Sequence, residues 1–278
     1  MSEGKICSIS AESLAKAVLP FPPVPVQKEI VRILDKYTQL EAELEAELKA
    51  ELDARKRQYE YYRNQLLNFA PPRSEEVKWI KLGDMCEIKG RIGFRGYTRR
   101  DIVDENQGAI SLSPSNIVDG CLCYDKCTYI SWAKYEESPE IMASVGDIVF
   151  TKTASVGKTA LIKMLPNKTT INPQLVLMKN IKCDNGYLSY ILKSNRFQNE
   201  VRKNTGVGSV PNVPQSILAN ILIPVPPIEE QRRIVKILDR FDTLTNELQI
   251  SLPAEITARR QQYDYYREKL LTFKRKVA

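Results

Sequence analysis

A chain of 278 residues with 43% hydrophobic and 27% charged side chains can bury a core as one large domain or two modest ones. It has no histidine, which excludes Ser-His-Asp and Cys-His triads and any histidine-ligated metal; six cysteines are too few for a disulfide scaffold, so reduced thiols in a cytoplasm are expected. The net charge is +7, no apolar run approaches the ~18 residues of a membrane span, and Met1–Ser10 is no signal peptide.

In chain order, residues 1–16 are short and mixed. They form an arm or the tail end of a module, because Ile9–Ala15 lies over Val213–Ala219 when the chain is compared with itself. Residues 17–69 then recur as residues 221–273: at a constant offset of 204, 25 of 53 positions are identical. Two copies about 150 residues apart make a pair rather than a solenoid. Each copy opens on Pro-x-Pro-Pro, which stiffens an extended entry. Each continues with apolar residues at steps of three and four: Ile30, Ile33, Tyr37, Leu40, Leu44, Leu48 and Leu52, then Tyr59, Tyr62, Leu66 and Phe69 in the first. The spacing predicts helices over about 26–68 and about 228–274, each with a narrow stripe that calls for another helix. Pro253, where the first copy has Lys49, predicts a break in the second helix.

Ala70-Pro71-Pro72-Arg73 reads as a linker into a domain over 70–220. Short β-rich runs follow at Asp84–Lys89, Ala109–Leu112, Cys127–Ile130, Asp147–Thr151, Thr159–Lys163 and Gln174–Met178. Gly186–Thr205 has the pattern of one amphipathic helix, and 207–212 reads as a loop into the second repeat, 221–278. A compact domain keeps its ends together, so a helix entering and a helix leaving should lie antiparallel. The fold class expected is α+β: one mixed α/β globular domain with a β-rich core on a stalk of two long antiparallel helices.

Charge is uneven. The repeats carry 8 basic and 9 acidic residues and 8 and 8, whereas 70–220 carries 20 and 15, and Lys274-Arg275-Lys276 adds three more. An anionic partner for the middle domain follows, against solubility alone as the blander explanation. The basic stretch Lys78–Arg100 sets Lys89, Arg91, Arg95, Arg99 and Arg100 among Gly90, Gly93, Gly96, Phe94 and Tyr97. A glycine-punctuated basic loop can follow a DNA groove, with arginine clamping phosphate or reading guanine; a solvated loop is the alternative. Ser155-Val156-Gly157-Lys158-Thr159 mimics the end of a phosphate-binding loop, but Lys152 stands where its first glycine belongs, so a basic turn between strands is expected. Cys121, Cys123 and Cys127 lack a nearby fourth ligand and read as strand cysteines, and the Glu41–Glu51 run reads as a solvated helix face.

The doubled Pro-x-Pro-Pro, Gln, long helix and Arg-x-x-Gln-Tyr-x-Tyr-Tyr-Arg pattern resembles the conserved regions of specificity (S) subunits of type I restriction-modification enzymes. Trp79–Asp84, Gly146-Asp147-Ile148-Val149, Ser155–Lys158 and Gly208–Asn212 resemble that family's target-recognition domain. The resemblance implies a non-catalytic subunit that reads double-stranded DNA and docks methyltransferase subunits on its helices. Those subunits would bind S-adenosylmethionine, and a separate motor-nuclease (R) subunit would use ATP and Mg. It further implies a bacterial or archaeal cytoplasm. A typical member has two target-recognition domains; this sequence has both helices and one complete domain, so it is expected to read one half-site, alone or as a homodimer. Candidate DNA-binding residues are Arg91, Arg95, Tyr97, Arg99 and Arg100, then Lys152, Ser155 and Lys158, with Lys89 on phosphate. Candidate partner-binding residues are Tyr59, Tyr62, Arg63, Tyr263, Tyr266 and Arg267. The competing class is a coiled-coil scaffold without sequence-specific DNA binding.

Overall fold

The structure, a computed structural model, describes residues 10–16, 19–69, 76–91, 96–105, 107–206 and 210–273. After a short helix, α1 (Ala11–Ala15), the chain forms a first long helix, α2 (Val24–Leu67), and ends in a second, α8 (Ile228–Leu271). Each long helix has 44 residues, and none described is long and apolar enough in sequence to cross a membrane. The chain divides into two compact units, residues 1–56 with 244–278, and residues 57–243.

In the first unit the long helices pack through the aromatic stripe. The Tyr37 ring lies 5.9 Å from Tyr266 and 6.4 Å from Tyr263, and Arg260 reaches Glu41 (3.1 Å) and Glu45 (3.0 Å). Rising numbers on α2 meet falling numbers on α8, so the pair is antiparallel. In the second unit Phe241 packs on Tyr59 (6.2 Å) and Tyr62 (5.8 Å). These are the contacts of Tyr37 repeated at the offset of 204, since Tyr37 corresponds to Phe241, and Tyr59 and Tyr62 to Tyr263 and Tyr266. The break expected at Pro253 is absent: α8 is helical throughout. A proline deletes one backbone hydrogen bond and crowds the preceding turn, a local cost of ~3 kcal/mol. Aromatic contacts to α2 flank Pro253, at Phe241 in the second unit and at Tyr263–Tyr266 in the first.

The second unit opens with β1 (Lys78–Lys81), the turn α3 (Leu82–Met85) and β2 (Glu87–Gly90), then β3 (Ile102–Val103), β4 (Gly108–Leu112), β5 (Ile117–Val118), β6 (Cys121–Leu122), β7 (Thr128–Ser131) and α4 (Trp132–Glu136). It continues through β8 (Ile148–Thr151), β9 (Thr159–Leu161), β10 (Thr169–Ile171), β11 (Leu175–Lys179), α5 (Asn185–Lys193), α6 (Asn195–Lys203), α7 (Gln215–Asn220) and β12 (Leu222–Val225). One four-stranded sheet has the order β2-β11-β8-β9, all antiparallel; a second runs β10-β4-β7-β3, with β10 parallel to β4, and β1-β12 and β5-β6 form two-stranded pairs. Alternation along the first sheet explains its unbroken apolar runs. Ile148, Phe150, Val176 and Met178 face a core with α5, α6 and the helix ends, while Val149, Leu175 and Leu177 face Ile110, Leu112 and Ile171 of the second sheet.

Three features depart from the sequence reading. The helix expected over 186–205 is two, because Ser194 leaves helical geometry (ψ 147°) and its hydroxyl caps α6 at the Phe197 amide (3.3 Å). The run at 84–89 yields a strand only from Glu87, since Leu82–Met85 turns helical to bury Leu82 and Met85. The second unit also reaches past 70–220 to 57 and 243, because Leu67, Phe69, Ile234 and Leu238 lie in its core.

Candidate nucleic-acid interface

The described candidate DNA-binding residues separate into groups in the second unit. Lys152, Ser155 and Lys158 lie together on the hairpin loop between β8 and β9. That loop is a turn and not a phosphate cradle: Thr151 donates to Lys158 O (2.8 Å), Gly157 donates back to Thr151 O (3.0 Å), and Gly157 takes φ +96°. Lys158 Nζ reaches the carbonyls of Pro114 (3.5 Å) and Ile117 (3.4 Å), which places the loop at the carboxyl end of β4. Ala154 N donates to Pro211 O (2.8 Å) and the Thr153 hydroxyl to Asn212 Oδ1 (2.7 Å), adding the 210–212 segment; Lys152 N donates to Gln174 O (2.9 Å), adding the start of β11.

Arg99 and Arg100 sit elsewhere, exposed on a turn capped by Thr98 and Asp101. Ile102 pairs with Ile130 and Gly108 with Ser131, so this turn lies level with the amino end of β4. The Asp101 carboxyl is held below its usual range, first by the Thr98 amide. Tyr97 accepts from the Ser111 hydroxyl (3.1 Å) on β4. Lys89 pairs with Glu87 (2.9 Å). Arg95 falls outside the described residues.

The base-reading role expected for Arg91 is not compatible with its position. It is 4% exposed, donates to Ile171 O (3.2 Å) and Thr170 Oγ1 (3.4 Å), and lies 5.4 Å from the Tyr97 ring centroid. Burial pushes its pKa down. The arginine ties the end of β2 to β10, a contact across 80 residues that a local charge run does not reveal.

The tyrosines expected to dock a partner belong to the stripe between the long helices. Tyr59, Tyr62, Tyr263 and Tyr266 face the opposite long helix. Burial, with Asp242 beside it, raises the Tyr59 pKa. Arg63 and Arg267 lie over the rings of Tyr59 (5.4 Å) and Tyr263 (5.6 Å). Tyr61 and Tyr265, equivalent in the repeat, are more exposed at 59% and 60%, and Tyr62 is 42% exposed.

The repeats begin in contrasting surroundings. In the second, Gln231 donates to Pro226 O (2.8 Å) and accepts from Asp184 N at the start of α5 (2.9 Å); Tyr187 donates to Pro224 O (2.9 Å), and Tyr190 to Asp239 and Asp242 (2.8 Å each). β12 pairs with β1 there, and Ile223 is 1% exposed. In the first repeat Gln27 makes the same bond to Pro22 O (2.7 Å), yet Leu19, the counterpart of Ile223, is 79% exposed.

Missed as site residues in the sequence were Gln174, Asn212 and Thr153, single polar side chains scattered along the chain. Asn212 closes the Gly208–Asn212 motif, whereas Gln174 and Thr153 had no signal beyond a position beside turn residues. Among the described residues no group of His, Cys, Asp and Glu is arranged to hold a metal.

Comparison with known proteins places these features in context. A family model described as the type I restriction modification DNA specificity domain matches residues 2–54 and 74–258. The chain is 34% identical over 276 residues to the specificity subunit of the type I restriction enzyme EcoR124I/EcoR124II of Escherichia coli, covering 95% of this chain and 65% of that protein. It is 30% identical over 271 residues to a putative type I specificity subunit of Mycoplasma pneumoniae, covering 91% and 92%. The chain thus spans about two thirds of the first relative and nearly all of the second. The fold matches the crystal structure of the HsdS subunit from Thermoanaerobacter tengcongensis (TM-score 0.62, 19% identity, 98% of this chain and 64% of that one). It also matches a chain from a study of complex assembly and conformational transition of the type I R-M system (TM-score 0.73, 18% identity, 95% and 63%).

Proposed function

The chain belongs to the type I restriction-modification DNA specificity family, and on that premise we propose that it reads one DNA half-site with residues 70–220 and docks methyltransferase subunits on its long helices. The observation that carries the reading is the convergence at the carboxyl end of β4 of Lys152, Ser155, Lys158, Gln174 and Asn212 on three segments distant in sequence. Such loops at a sheet's end offer donors to phosphate and base edges alike. The net +5 of 70–220 supplies the long-range attraction. Arg99 and Arg100 would hold backbone at the other end of β4.

The subunit is proposed as non-catalytic and cytoplasmic. S-adenosylmethionine would be bound by the methyltransferase subunits, and ATP with Mg by the motor-nuclease subunit. Tyr61 and Tyr265 are the proposed aromatic contacts for two copies of one methyltransferase partner. The uncovered start of the first repeat suits a second globular unit of the same fold. A homodimer, in which two copies of this chain together read two half-sites, is the other arrangement proposed.

The test is enrichment of bound sites from random duplex DNA, with the partner methyltransferase subunit present, over a range of salt. A short asymmetric motif whose binding weakens steeply with salt is expected. An inverted repeat of that motif would favour the homodimer. No motif, with binding indifferent to salt, would overturn the DNA reading in favour of a scaffold.

A further inference from the structure

Gln174, Lys152 and Asn212 lie on adjoining segments at the proposed interface. Lys152 N donates to Gln174 O (2.9 Å), Val213 N donates to Lys152 O (2.9 Å), and Thr153 bridges to Asn212. Lys152 and Gln174 are half-buried and Asn212 is exposed.

The Gln174 amide has one orientation, set by the backbone. Asn172 Oδ1 accepts from the Gln174 backbone N–H (3.0 Å), so the other end of the Asn172 amide is its NH2 group. That group donates to Gln174 Oε1 (3.1 Å). Gln174 therefore turns its oxygen toward Asn172 and, among the described residues, keeps its Nε2 donors for a partner. At Asn212 the Oδ1 accepts from the Thr153 hydroxyl (2.7 Å), which among the described residues leaves the Nδ2 donors for a partner. Lys152, whose backbone pairs with both segments, carries an ammonium that is a donor only.

We infer that this row selects guanine in the major groove, an inference that rests on the reading of residues 70–220 as the DNA-reading domain. Guanine presents two acceptors there, N7 and O6. Adenine sets an amino donor beside N7, cytosine presents an amino donor, and thymine has one acceptor beside a methyl group. Donors facing an amino group leave both unpaired. A glutamine with both amide ends free can satisfy adenine; one whose oxygen is already engaged is biased toward guanine.

The experiment starts from the duplex enriched by the wild-type chain with its methyltransferase partner. Each guanine is replaced in turn by 7-deazaguanine, which lacks the N7 acceptor, and affinity is measured. Selection is then repeated with Gln174→Glu and Asn212→Asp, and thermal melting confirms that both variants fold. The carboxylate introduced by Gln174→Glu keeps an oxygen for the Asn172 donor and presents an acceptor where Nε2 donated. The expected result is a loss of about tenfold at one or two guanines on 7-deaza substitution. In the Gln174→Glu selection, preference at one of those positions moves from guanine to cytosine or adenine while the rest of the motif stays. A wild-type motif with no 7-deaza-sensitive guanine overturns the inference and leaves DNA reading intact. So does an unchanged motif with uniformly weaker binding, which would place these residues on phosphate. Absence of any wild-type motif removes the premise and the inference with it.

Discussion

One glutamine occurs in two environments, and replacing it in each measures what the folded middle unit adds to the second repeat. Gln231 is 3% exposed and spans two partners, donating to Pro226 O (2.8 Å) and accepting from Asp184 N (2.9 Å). Gln231→Ala removes both bonds and leaves a buried amide and a buried carbonyl, at ~1–3 kcal/mol for each group left unsatisfied. Some relaxation brings the expected total to roughly 2–4 kcal/mol. Gln27→Ala removes the one equivalent bond, to Pro22 O (2.7 Å), where water can replace it, at ~0.5–1 kcal/mol. For a unit of this size ~1 kcal/mol moves Tm by ~2–4 °C, so Gln231→Ala is expected to lower it by roughly 4–16 °C. The chain's two tryptophans, Trp79 and Trp132, both lie in residues 57–243, so urea unfolding followed by tryptophan fluorescence reads Gln231→Ala, while circular dichroism of the long helices reads Gln27→Ala in the other unit. Equal losses for the two variants, or a loss below ~0.5 kcal/mol for Gln231→Ala, would refute the assignment of Gln231 as the joint between α5 and α8.

Arg260→Ala should cost less than ~1 kcal/mol, because the pairs to Glu41 and Glu45 are largely exposed, and the difference should vanish near ~1 M salt. Urea titration by circular dichroism checks this; a salt-independent loss above ~2 kcal/mol would show the pair to be anchoring the helices. Burial first, and then Cys183, pushes the Cys86 thiol up to about 12; burial first, and then Asp184, pushes Cys183 up to about 11. At about pH 8 iodoacetamide should label the exposed Cys121 and spare Cys86, and mass spectrometry showing Cys86 labelled as fast as Cys121 would contradict this. Both folded pKa values are raised above the unfolded thiol value. Their contribution to stability is therefore fully present below about pH 9 and is lost as pH rises toward about pH 12.

Much of the architecture was legible because it is written in period and repetition. Apolar steps of three and four mark α2 and α8, and a match at one constant offset pairs them. The runs IVFT and LVLMK announce strands buried on both faces. Sequence reading failed where a local rule met a distant contact. Pro253 predicts a break, yet α8 stays helical through it. A helical pattern over 186–205 gives no warning that Ser194 will cap a new helix, since capping depends on one side chain's hydrogen bond.

The candidate interface divides in the same way. A basic, glycine-rich stretch between two matching helical regions is enough to point toward nucleic acid, because net charge and repeats survive any folding. Which basic residue faces outward is decided only in the folded chain. Arg91 turns inward to strand β10, some 80 residues along, whereas Gln174 and Asn212 come out beside Lys152 through pairings of β8 with β11 and with the segment before α7. The sequence by itself determined two like helices, a β-rich domain between them and an excess of positive charge. The tertiary structure alone decided which donors are spent within the protein and which remain for a partner, because a hydrogen bond needs both of its ends brought within about 3 Å.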